Sequence, residues 1–95
     1  MMVISDFQPL LNQSFRIAFS DQELVLTLVD VELVGSPYKE GARQPFSLMF
    51  DADASVGVLR QGIYPVEHDT LGRKDIFLVP RGVEDNCCRY EAVYN

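Results

Sequence analysis

Tryptophan is missing from this chain of 95 residues, and two other reactive residue types are nearly so: there is one histidine, His68, and two adjacent cysteines, Cys87 and Cys88. Neighbouring cysteines do not close a relaxed disulfide, because a trans peptide sets their alpha carbons about 3.8 Å apart while a disulfide prefers about 4.4 to 6.8 Å. Two thiols and one imidazole also fall short of the four converging ligands of a structural zinc site. Reduced cysteines in a cytosolic protein are the expectation.

Basic residues are scarce: eight lysines and arginines stand against fourteen acids, for a formal charge of -6. The bases are scattered from Arg16 to Arg89. A chain of this sign lacks the phosphate attraction behind most non-specific nucleic-acid affinity, which argues against that partner. No apolar run approaches the roughly 20 residues needed to cross a bilayer, and Ser5 and Asp6 interrupt the opening Met1–Ile4 before a signal-peptide core forms. The expectation is a cytoplasmic protein, or a component of a larger assembly, with no signal peptide and no membrane contact.

Signatures of chemistry are wanting too. The six glycines are dispersed and build no phosphate cradle, and no serine stands in a nucleophile-elbow context. "DADASVG", Asp51 to Gly57, begins like a calcium loop, but Val56 replaces the required glycine and Gly62 the bidentate carboxylate. His68 lies between Glu67 and Asp69, yet in a strand both neighbours project away from the ring. No catalytic residue, metal site or cofactor is therefore assigned, and His68 is read as a ring covering a hairpin end.

What the chain does contain is alternation. In "SFRIAF" Phe15, Ile17 and Phe19 share one face, and in "PFSLMF" Phe46, Leu48 and Phe50 do. "ELVLTLVDVELV", Glu23 to Val34, carries apolar residues on both faces, as a long strand bending across a barrel would. "GIYPVEH" sets Tyr64, Val66 and His68 against Ile63, Pro65 and Glu67, with Pro65 marking an edge or an unpaired amide position. "DTLG" is a tight turn with Asp69 as its acceptor. "KDIFLVP" buries either Ile76 and Leu78 or Phe77 and Val79, with Phe77 counted among the core aromatics. "RGVEDN" is a turn, and "CCRYEAVYN" places Cys88, Tyr90, Ala92 and Tyr94 together. The loop of this set is "GSPYKEGARQ", Gly35 to Gln44. One compact all-β domain over residues 1–95 follows, with residues 1–13 as an N-terminal arm. Its fold is a small antiparallel six-stranded meander forming a closed or partly open barrel, with a two-sheet sandwich as the alternative.

The order "QPFSLMF", "LRQGIYPVEHDTLG", "IFLVP" and "YEAVYN" resembles a small bacterial and phage-associated domain family of unknown function. Its pattern reads PFSLLF, then QGxYxLEHPxLG, FLVP and YEAVFN. The resemblance covers Phe15 to Asn95, with Glu67, His68, Gly72 and Glu91 on motif positions. Arg60 and Asp69 depart from it, where prolines are usual. It implies a free-standing or fused β module, found near phage-tail-like or secreted-fibre proteins, with no established catalytic residues.

The functional expectation is a non-enzymatic protein-binding or assembly module, with a protein partner or homo-oligomer. Its surface is assigned to Tyr38, Tyr64, Glu67, His68, Arg73, Tyr90 and Glu91. The competing reading is a small hydrolase or metal-dependent enzyme centred on His68 and nearby carboxylates.

Overall fold

The computed structural model describes residues 2–35 and 44–95. Among these the chain forms six strands: β1 Ser14–Ala18, β2 Glu23–Leu33, β3 Phe46–Asp53, β4 Gly62–His68, β5 Gly72–Glu84 and β6 Cys87–Tyr94. Every neighbouring pair is antiparallel, and the order β1-β2-β3-β6-β5-β4 closes into a barrel. The sandwich alternative is thus set aside. Consecutive strands are neighbours within each half, so β1–β3 and β4–β6 are two three-stranded meanders. The halves join through a long β3–β6 ladder, from Phe46↔Tyr94 to Asp53↔Cys87, and through one pair between β1 and β4, Arg16↔Glu67.

Period two decides what is inside. Phe15 and Ile17, Leu24, Leu26 and Leu28, Phe46, Leu48 and Phe50, and Ile76 and Leu78 are all buried. The β2–β3 register shifts between Leu28 and Asp30, and beyond this bulge Val31 takes the inward phase. That extra residue accounts for the two-faced apolar pattern of β2. Phe15 meets Phe50 edge to face with ring centroids 5.2 Å apart.

Several expectations are corrected. Phe19 is exposed, because β1 ends at Ala18 and the Phe19 amide turns back to the Gln22 carbonyl. Phe77 is exposed because Ile76 and Leu78 hold the inward phase of β5. β3 runs on to Asp53, whose carboxylate then accepts from the Ser55 amide at 2.8 Å and starts a short 3-10 turn, Ala54–Val56. β5 passes through the supposed turn at Arg81 to Glu84, because a register shift between Pro80 and Gly82 absorbs the irregularity. The reversal is instead Asp85–Asn86, both at positive φ (51° and 62°), as a two-residue hairpin turn of matching twist requires. Pro65 lies in β4 opposite Asp75.

Residues 4–10 form two 3-10 turns, Ile4–Asp6 and Gln8–Leu10. Phe7, between them, is fully buried, with its ring 5.9 Å from Phe46 and 5.6 Å from Tyr94. It covers the barrel end where β3 begins and β6 finishes. Among the described residues no helix is long and apolar enough to cross a membrane.

Candidate functional site on the outer face of β4 to β6

His68 occupies the last position of β4, in the inward phase, and is only 6% exposed. Its ring lies 4.7 Å from that of Phe15. Nδ1 accepts the backbone N–H groups of Thr70 and Leu71, at 3.1 and 3.2 Å. A nitrogen that receives two donors carries no hydrogen, so Nε2 is the protonated one and donates to Gln13 Oε1 at 2.7 Å. Both nitrogens are therefore committed. The turn acceptor expected at Asp69 is in fact His68. Asp69 reaches outward to Arg16, 3.0 Å away. Among the described residues no three histidine, cysteine or carboxylate side chains converge as metal ligands.

Tyr90 also lies inside, 1% exposed, with its hydroxyl accepting the Leu59 amide at 2.9 Å. Burial pushes its phenol up to about 12, against the opposing pull of that amide. Tyr64 is half-buried and donates to the Arg60 carbonyl at 2.7 Å. Tyr38 lies outside the described residues. The expected set is thus divided: His68 and Tyr90 point into the barrel, whereas Glu67, Arg73 and Glu91 stand on its outer wall.

That wall has a centre which sequence reasoning missed. Ile63 pairs with Phe77 across β4 and β5, and the Val79↔Glu91 pair sets Val93 level with Phe77 across β5 and β6. The three form one outward row, with Ile63 70%, Phe77 49% and Val93 49% exposed. A shallow groove of about 320 Å³ runs beside them. Glu67 and Arg73 oppose each other on one side of the row, and Glu91 meets Arg81 at 3.7 Å on the other. The available signal was phase: once Ile76 and Leu78 are inside, Phe77 has to be outside.

A larger groove, of about 480 Å³, lies between Asp51, Arg81 and the β5–β6 turn. Two of its charges, Asp51 and Arg89, are spent on each other. Arg89 grips Asp51 through two hydrogen bonds of 2.7 and 2.9 Å. The guanidinium holds the Asp51 carboxyl below its ordinary value, and the carboxylate raises Arg89 in return. Burial, helped by the Asp51 charge, pushes the Cys87 thiol up and away from its reactive form.

The chain belongs to a family described as a domain of unknown function, DUF6916, whose model matches residues 2–94. The match spans all six strands and both N-terminal turns. No curated protein and no solved structure was found to match.

Proposed function

We propose that this chain is a non-enzymatic protein-binding or assembly module that docks through the outer face of β4, β5 and β6. The row of Ile63, Phe77 and Val93 carries this reading. Scattered apolar residues on a surface need no explanation, but three aligned across adjacent strands form a continuous patch that folding does not require. Docking is assigned to side chains, because the row projects from the face of the sheet and not along the sparsely paired β1–β4 seam. The acidic charge disfavours nucleic acid and anionic membrane as partners. The phage-tail-like or secreted-fibre setting suggested by the family resemblance suits an assembly role, as does residence in the cytoplasm or in a larger complex. Glu67, Arg73 and Glu91 edge the face, Tyr38 and Tyr64 are further candidates for contact, and His68 and Tyr90 support it from inside.

Isolation of the native complex from the source cell, with the wild type and with Phe77→Thr, tests the proposal. A stoichiometric partner lost in a variant that stays folded, with a melting temperature lowered by no more than a few degrees, is the expected result. Retention of the partner by both Phe77→Thr and Ile63→Thr would remove the face from consideration.

A further inference from the structure

We infer that the partner of this face is a protein surface with an apolar centre and a basic rim, and not a second copy of this chain. The inference rests on the docking role proposed above and adds the chemistry of the occupant. Three acids border the row. Glu32 continues it beyond Ser47, through the pairs Ser47↔Val93 and Glu32↔Ser47. Asp75 precedes Phe77 by one outward position, and Glu67 follows Pro65 on β4. All three are exposed, and none forms an ion pair among the described residues. Of the outward bases nearby among the described residues, Arg81 is engaged by Glu91, and Arg16, which opposes Glu67 across β1, is engaged by Asp69, which leaves Arg73 against the three acids. The border therefore presents an excess of negative charge around an apolar strip.

A second copy fits this pattern badly. It would bring -6 against -6 and place one acidic border on another, where like charges oppose association. Three exposed side chains also cover only part of the roughly 800 Å² per partner of a stable interface, so the contact extends over the charged border, which selects the partner. Lysines or arginines opposite Glu32, Glu67 and Asp75 would supply it.

Two cyclic β-hairpin peptides with the same Val-Phe-Val centre, one flanked by lysines and one by glutamates, are titrated into the full chain and followed by NMR. The lysine hairpin is expected to shift the amides of Ile63, Phe77 and Val93 and to bind about tenfold or more tightly than its counterpart at low salt. The preference shrinks at high salt and reverses in the Glu32→Lys, Asp75→Lys double variant. Equal binding of the two hairpins, or preference for the glutamate form, overturns the basic rim while leaving the docking face in place. If neither hairpin moves the row but Phe77→Thr still loses the native partner, the stated chemistry is again wrong. Failure of the hairpins together with a native complex indifferent to Phe77→Thr brings down both readings. A dimer in sedimentation equilibrium that Phe77→Thr dissociates replaces the inference with self-association.

Discussion

The two meanders supply the barrel interior in the same way and differ on the outside. In β1–β3 the outward positions are largely polar, with Arg16, Thr27, Asp51 and Asp53 among them, and the exposed apolar side chains Val25 and Leu33 stand far apart on β2 and form no row. In β4–β6 the corresponding wall carries Ile63, Phe77 and Val93 in register. A closed barrel needs one apolar face per strand, so the second meander has more than folding requires. Stability resides in the shared interior, and recognition is assigned to the wall of one half.

Mutations and pH can separate the two. Phe50→Ala empties an interior site touched by both halves, and a loss of about 3–5 kcal/mol in a urea titration is expected. Against a total stability of about 5–15 kcal/mol, that leaves the fold marginal. His68→Phe keeps the ring packing but strands the Thr70 and Leu71 amides and Gln13, at a cost of about 1–3 kcal/mol in the same assay.

Alkaline unfolding should report Tyr90. Its acidity is weakened by folding, from an ordinary value of 10.0 to about 12, so its contribution is complete below pH 10 and disappears as the pH rises toward 12. The melting temperature should fall across that window, and Tyr90→Phe should flatten the fall. Phe77→Thr is expected to cost about 1 kcal/mol or less, because the side chain is half-exposed and threonine suits a strand. A large destabilisation there would make Phe77 a folding residue and erase the contrast between the walls. The smallest effect belongs to Asp51. Its carboxyl is held low by Arg89, so the contribution is present above the ordinary value of 3.8 and is lost as the pH drops through the lower folded value. Asp51→Asn should lower the neutral-pH melting temperature slightly, with the difference from wild type vanishing as the pH falls below the folded value.

Much of the interior was legible because alternation is a local property. Gly62–His68 emerged with the boundaries that "GIYPVEH" predicted, and phase put Cys88, Tyr90 and Ala92 on one face, which proves to be the inner one although Tyr90 was expected at the surface. Features created by distant contacts were not legible. Phe7 sits in a segment with no period, and only the arrival of Phe46 and Tyr94 beside it makes it a plug. The Tyr90 hydroxyl finds Leu59 across 31 residues of sequence, which no window of pattern detects. Asp69 was the better turn acceptor by residue type, but His68 was already inside and aimed at the turn amides. The outer row was missed for a related reason. Phe77 was counted toward the core on hydrophobicity, and only closure of the barrel shows that the interior is filled without it.

The pairing of β1 with β4 at Arg16 and Glu67 alone has a mechanical consequence. Backbone bonds roll the ribbon up, but the two selvedges are fastened largely by buttons: Gln13 to His68, Arg16 to Asp69, and the Phe15 ring against the imidazole. Transient breathing of the molecule should begin along that line, with amides of β1 exchanging their hydrogens before those of β3 and β6.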